Sequence, residues 1–421
     1  MQSYKINENI TLHYIPMTKL KTTSIGIYIG RLLDSAEASA NAVLPHVLLK
    51  ACQKAKNASE VAKVMQNLYG AKLYASVNKR GDNQFINFEG EVISDQYAAE
   101  GEKLLSGLLD LMLSVVFEPV TQCGGFLADV LEREKVNAAD RLKSIINDKT
   151  RYANNRCIEE MFREEKYSVS EWGTADGIEK LKPKALYEHY KKVVAESAIN
   201  IFVSGEVNIE EVKAELASRT AGIEFKPAKL ADISIIKKGG EIREVSETTD
   251  LTQGKLAIGF RTNVAPSDAD YWALIVANNI FGGGMGSKLF NNVREKLSLA
   301  YYVRTNIDRQ KGFMLLYAGI AFDKLKDTCD EIFFQLDEMI KGNITDAEIA
   351  NAKSEIENSL NACYDDQMQM QSYFLGNIIA GVAVSLEEYK ENIRKITKDD
   401  IVAVIKKLEA DTLYFLKGEA E

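Results

Sequence analysis

The residues best equipped for chemistry lie in one stretch, 281–303, which reads FGGGMGSKLFNNVREKLSLAYYV. Gly282, Gly283 and Gly284 open it with Gly286 close behind, and Arg294, Glu295, Lys296, Tyr301 and Tyr302 close it. Arginine offers several N–H donors in a charged planar fork, and tyrosine adds a phenol donor. Aimed together at a carbonyl, such donors favour the oxyanion that develops when that carbonyl is attacked. Taken singly, each has a plainer use: Arg294 in a salt bridge with Glu295 or another acidic neighbour, Tyr301 as a half-buried strand aromatic. Tyr302 points to the opposite face of such a strand. The glycines let the backbone bend and bring bare amides close to something else. They read as an interface or gating loop whose amides can pair with extended chain. A phosphate loop is excluded, because Ser287 stands between Gly286 and Lys288 where glycine must precede lysine directly. Metal chemistry has little to draw on. There are three histidines, His13, His46 and His189, and five scattered cysteines with no pair at metal-ligand spacing.

Read as an order (glycine loop, Leu-Phe, Arg-Glu-Lys, Leu-Ala-Tyr), the stretch resembles the C-terminal half of the insulinase/pitrilysin (inverzincin) metallopeptidases, on the mitochondrial processing peptidase branch. The resemblance implies that Arg294 and Tyr301 contact the backbone of a bound peptide near the scissile carbonyl. Active members carry His-x-x-Glu-His on a helix of the first domain and a glutamate on a later helix, which together hold zinc and activate water. The matching stretch here is 41–52, NAVLPHVLLKAC, anchored on Leu49, Lys50, Ala51 and Cys52. Ala42 falls at the first histidine, Pro45 at the glutamate and His46 at the second histidine. The third-ligand position, seven residues on from Glu134, is Arg141, beside Asp140. Alanine has no lone pair to give, and a guanidinium does not bind zinc. Proline is no base and is expected to begin the helix instead of lying within it. One imidazole cannot hold a zinc that needs three or four ligands. No metal is therefore expected on this chain, and His46 reads as a surface or internally satisfied histidine.

The resemblance thus implies a bacterial member lacking the zinc motif. It would be a non-catalytic, substrate-binding subunit of a zinc-dependent peptide-processing protease, inactive alone. Arg294 and Tyr301 would serve a homologous His-x-x-Glu-His subunit that carries the zinc, in a heterodimer. The alternative is a catalytically dead scaffold or peptide-binding protein with no hydrolysis in any complex. A homodimer is also open, since a surface meant for a homologue can accept a copy of itself.

The elements that must position these residues recur. KLAIGFR at 255–261 answers SIGIYIG at 24–30, and the apolar helix 268–281 answers one expected over about 42–55. The segment 293–305 answers 66–78, 312–320 answers 84–92, and the helix 323–340 answers 97–116. The ends agree as well, 191–207 with 406–420. Strands first adjacent as hairpins, with helices following, give an α+β fold: two homologous domains, each a mainly antiparallel sheet with helices packed on one face. The family resemblance adds that they form half of a clamshell. The boundaries drawn are 1–222, a linker at 223–240 carrying Pro227 and a lysine-rich run, and 241–421.

Composition narrows the rest. A net charge of −9 and a pI near 5.3 argue against non-specific nucleic-acid binding, which needs a basic face. No run of eighteen apolar residues spans a membrane. The first residues, MQSYKINENITLHY, lack the apolar centre of a secretory signal. Unpaired cysteines suit a reducing cytoplasm, the expected location.

Overall fold

The computed structural model describes residues 1–233, 235 and 240–418. The chain begins with β1 (Gln2–Lys5), β2 (Ile10–Pro16), β3 (Thr22–Leu32), α1 (Ser35–Leu48), α2 (Ala58–Asn67), β4 (Lys72–Arg80) and β5 (Asn83–Ile93). Next come α3 (Leu104–Phe117), the small hairpin β6 (Thr121–Gln122) and β7 (Gly125–Phe126), and α4 (Ala128–Asn147). Then follow α5 (Lys149–Met161), α6 (Ala175–Glu179), α7 (Pro183–Glu196), β8 (Ala198–Gly205) and α8 (Ile209–Thr220). The second half gives β9 (Arg243–Thr248), β10 (Gly254–Arg261), α9 (Tyr271–Asn278), β11 (Ala300–Asp308), β12 (Phe313–Ile320) and α10 (Leu325–Ile340). It ends with α11 (Asp346–Ala362), α12 (Gln367–Ile379), α13 (Leu386–Lys395), α14 (Lys398–Ile405) and β13 (Glu409–Lys417). Of the expected linker, residues 234 and 236–239 lie outside the described residues, as does the Glu419–Ala420 end of the repeat.

The contacts divide the chain into two compact units. Unit 1 holds residues 1–143, 169–231 and 363–376; unit 2 holds 144–168, 232–362 and 377–421. Residues 144–168, with α5, thus belong with the second half of the sequence, and 363–376 belong with the first.

The sheet of unit 1 runs β1-β2-β8-β3-β5-β4 and that of unit 2 runs β11-β12-β10-β13-β9. Read backwards, the second order matches β2-β8-β3-β5-β4 strand for strand. The single parallel pair, β2 with β8 and β13 with β9, falls at the same place in both. The duplication read from the sequence is therefore a duplication of topology, and the fold is the expected α+β one. Register corrects one detail. Ile27 pairs with Phe88 and Ile258 with Leu316, while Phe88 faces Ala75 and Leu316 faces Thr305. Thr305 therefore answers Ala75, not Asn78, so the sequence match slips by three residues in the last strand of each sheet.

In unit 1, Ile25, Ile27 and Ile29 of β3 enter a core with Val43 and Val47 of α1 and Leu108 and Met112 of α3. Each such side chain contributes on the order of 1.5–3 kcal/mol on burial. The opposite face is polar and is crossed by the first turns of α12. Gln371 Nε2 donates to Ser24 Oγ at 2.8 Å and to Ser204 Oγ at 3.0 Å. In unit 2, Phe260 of β10 meets Phe333 of α10 on one face, ring centroids 6.2 Å apart. On the other face Ala257, Leu315, Tyr414 and Leu416 pack on Ala153, Cys157 and Met161 of α5. A buried charge cluster ties the end of α5 to the sheet. Arg261 is 1% exposed; its Nε donates to Asp411 Oδ2 at 2.9 Å, its Nη1 to Glu165 Oε1 at 3.1 Å and its Nη2 to the Met161 carbonyl at 2.8 Å. Lys311 Nζ lies 3.0 Å from Glu165 Oε2. The helices of each unit thus favour one sheet face, and a single helix segment from the other half of the sequence crosses the second.

Candidate functional site

In unit 1 the residues at the expected metal position sit on α1 and α4. Helix α1 does not begin at Pro45. It begins ten residues earlier, where the Asp34 carboxylate caps it by accepting from the Ala36 amide at 2.8 Å. Its first turns are the alanine- and serine-rich residues 35–40. Pro45 lies inside the last turn, where its missing N–H leaves the Asn41 carbonyl without its usual intrahelical donor. Ala42 and His46 fall four apart along this helix, with Lys50 just past its end, and Glu134 and Arg141 fall seven apart on α4, so each pair shares a stripe.

The two stripes meet. Lys50 Nζ lies 3.5 Å from Glu134 Oε1, and Asn137 Nδ2 donates to the same oxygen at 3.0 Å. Glu134 is 4% exposed. Burial pushes the His46 imidazole down to about 4, helped by the positive charges of Arg141 and then Lys50. Burial also lowers the Arg141 guanidinium, which the Glu134 carboxylate partly offsets. Arg141 is thus brought to His46, at the place where the resemblance puts the third ligand. His46 is not a satisfied histidine, however: its buried Nε2 has no hydrogen-bond partner, and neither has Arg141 Nη2. Two cations and one neutral imidazole face a single carboxylate that is already paired. This donor set does not fit a divalent metal, and among the described residues no group of three His, Cys, Asp or Glu side chains is placed to hold one. Beside the cluster, and sharing Lys50 and Glu134 with it, lies a cleft of about 480 Å³ that also presents Lys56 and Arg133. Asn137 was not singled out in the sequence, and Lys50 served only to anchor the match. The spacing of Lys50 from His46 was the available signal.

His189, the third histidine, is committed elsewhere. Its Nε2 lies 2.7 Å from Asn41 Oδ1, and Asn41 Nδ2 donates to Gln84 Oε1 at 2.8 Å. Burial holds this imidazole at about 4 as well.

Unit 2 carries the glycine loop, Arg294 and Tyr301. Two π-helical stretches, Asn279–Gly283 and Phe290–Lys296, flank the loop; such turns are rare and concentrate at functional positions. Around the second, Leu289 and Val293 fall at helical spacing and are buried, while Leu297 is exposed. None of the loop glycines has a positive φ. Their small size answers to crowding instead: a Cβ on Gly282 would come within 2.8 Å of Thr305 Cγ2, and one on Gly284 within 2.7 Å of Glu355 Oε2. Only open space surrounds Gly286. The loop amides expected to be bare are largely spent. Gly284 N donates to the Asn279 carbonyl at 2.9 Å, Met285 N to Glu355 Oε2 at 3.3 Å and Ser287 N to the Gly284 carbonyl at 3.3 Å. Glu355 is a clamp with no sequence signal, seventy residues from the loop it holds.

The Phe290–Lys296 stretch packs on β11, an edge strand of its sheet. Ser298 takes φ 49°, an unusual left-handed conformation for serine, just before the strand begins. The ladder with β12 then slips between Ala300 and Tyr302, leaving Tyr301 as the bulged residue. Tyr301 is 67% exposed, not half-buried. Tyr302 is spent within the unit, its hydroxyl 2.9 Å from Thr150 Oγ1. Arg294 stacks over the Phe290 ring at 4.8 Å and sits 3.5 Å from Glu295 Oε1. That pair is exposed and long, worth little in water, and leaves most of the guanidinium donors open.

Comparison with known proteins bears on the family and the fold. The peptidase M16 inactive domain matches residues 180–356. A probable inactive metalloprotease, YmfF, of Bacillus subtilis is 30% identical over 409 residues, covering 97% of this chain and 96% of that one. The crystal structure of a conserved protein from Enterococcus faecalis V583 superposes with a TM-score of 0.90 at 29% identity, covering 100% of this chain and 99% of that one. A peptidase M16 inactive domain from Pseudomonas fluorescens shares the fold, with a TM-score of 0.80 at 19% identity over 100% of this chain and 98% of its own. With likeness running the length of the chain, this protein belongs to the M16 (insulinase/pitrilysin) metallopeptidase family, as a homologue of its inactive kind.

Proposed function

We propose that the chain is the non-catalytic, substrate-binding subunit of a zinc-dependent peptide-processing protease. Its partner is a homologous subunit bearing the intact His-x-x-Glu-His motif, and this chain carries no catalytic metal itself. The observation that carries the reading is the division of labour between two adjacent tyrosines. Tyr302 is tied to Thr150, whereas the bulge turns Tyr301 out into solvent, seven residues along the chain from a guanidinium that is only loosely paired. An exposed phenol and an open planar fork on one segment can each donate to the carbonyl oxygens of an extended peptide. Zinc on the partner would supply the activated water. Arg294 and Tyr301 would hold the peptide in place and stabilise charge developing on its carbonyl.

Mixing this chain with its zinc-bearing homologue and a peptide should give zinc-dependent cleavage that neither chain gives alone. In that mixture Arg294→Ala should lower turnover by more than about tenfold, the loss of one preorganised donor, with the zinc content unchanged. A partner equally active without this chain would end the proposal. The second reading, a scaffold or peptide-binding protein without hydrolysis in any complex, draws support from the glycine loop, whose amides are closed on themselves and on Glu355. Peptide binding without cleavage in the mixture would select it.

A further inference from the structure

We propose that the position vacated by the metal ligands has become a carboxylate-binding site, with the guanidinium of Arg141 as its anchor. Three observations within unit 1 carry this. Arg141 is half-buried, yet among the described residues its guanidinium makes no hydrogen bond or ion pair, and Nη2 is closed off with nothing to donate to. The neighbouring carboxylate, Glu134, is already used by Lys50 and Asn137. His46 Nε2 is likewise closed off and unpartnered. Folded proteins rarely leave a buried charged donor without an acceptor, because that forfeits the full desolvation penalty of the group.

What the site lacks is therefore oxygen, and negative charge with it. A carboxylate meets a guanidinium fork with two parallel hydrogen bonds. The neutral imidazole can turn an N–H towards it at no electrostatic cost, and the second cation, Lys50, stands nearby. The neighbouring cleft shares Lys50 and Glu134 with the cluster and is walled also by Lys56 and by Arg133, whose guanidinium lies 2.8 Å from Asp129 Oδ2. A metal ion would meet the reverse, two fixed cations and no free anion. The carboxylate can come from the C-terminus of a peptide or from an acidic side chain, since the chemistry recognised is the same. The site belongs to the chain alone and does not depend on a partner subunit or on Arg294 and Tyr301.

The full chain, with its histidines labelled with ¹³C, reports on this directly. It carries three histidines, and the signal that disappears in His46→Gln identifies His46. The chain is titrated at pH 7 with trialanine, with trialanine amide, and with N-acetyl-alanyl-glutamyl-alanine amide. A saturable shift of the His46 signal with a carboxylate-bearing peptide and none with trialanine amide is expected, and the peptide that acts names the source. Arg141→Gln should weaken this by at least about tenfold. Arg141→Lys, which keeps the charge without the fork, should fall between the two. Unchanged His13 and His189 signals in both variants show that the fold is intact. An equal response to the amide, no saturable shift, or a response that survives Arg141→Gln would overturn the proposal. So would a one-to-one shift of His46 by zinc alone that blocks the peptide.

Discussion

Protonating a desolvated imidazole is costly, and burial holds all three histidines of this chain below their ordinary value, His46 and His189 the furthest. His46 and His189 are both held at about 4, against 6.5 for a free histidine. The fold therefore keeps them neutral, while the unfolded chain takes up protons once the pH drops below 6.5. The stabilisation is complete above pH 6.5 and is lost as the pH falls from 6.5 towards 4, up to roughly 3 kcal/mol for each group. Unfolding free energy from urea titrations should accordingly decline between pH 7 and 5, with a visibly smaller slope in His46→Gln. An unchanged slope would show that His46 is not desolvated in the way described. Arg261 presents the opposite case, a charge buried with its partners. Arg261→Met strands Asp411 and leaves Glu165 to Lys311 alone, so stability should fall by about 3–5 kcal/mol. A loss below about 1 kcal/mol would mean that the cluster is solvated after all.

At the level of elements, the glycine loop separates crowding from flexibility. Gly282→Ala forces a methyl group against Thr305 and Leu289 in a packed interior and should cost about 1–3 kcal/mol. Gly286→Ala meets nothing and should leave the melting temperature almost unchanged. Thermal unfolding of the two variants side by side decides this, and equal shifts would refute the account. The same stretch shows what a sequence can and cannot disclose. The hairpin strands, the amphipathic spacing of Leu289 and Val293 and the repeat of KLAIGFR were legible because each is a local pattern. The start of α1 was missed because an aspartate cap at residue 34 outweighs a proline at 45 whose lost donor matters little in a final turn. The slip of register was missed because strand composition does not reveal pairing, and the bulge at Tyr301 accounts for one of its three residues. At the candidate site the sequence offered residue types, Ala42, Pro45 and Arg141, that cannot hold zinc or act as a base. The pairing of Lys50, just past α1, with Glu134 of α4 and the closing of the loop by Glu355 depend on contacts between distant segments.

At the scale of the molecule, each unit is completed by a helix segment encoded in the opposite half. A fragment of residues 241–421 lacks α5, whose Ala153, Cys157 and Met161 cover Ala257, Leu315 and Leu416. It should bind a hydrophobic dye and show broad, uncooperative unfolding, and a fragment starting at residue 144 should not. Cooperative unfolding of the shorter fragment would contradict the assignment of α5. The same exchange sets a schedule during synthesis. Residues 363–376, which carry Gln371 onto Ser24 and Ser204, leave the ribosome only after residues 232–362 have been made. At about 5–20 residues per second that delay is on the order of ten seconds. A nascent chain stalled near residue 231 therefore holds a sheet with its hydroxyl-bearing side still uncovered, open to whatever chaperone waits at the exit.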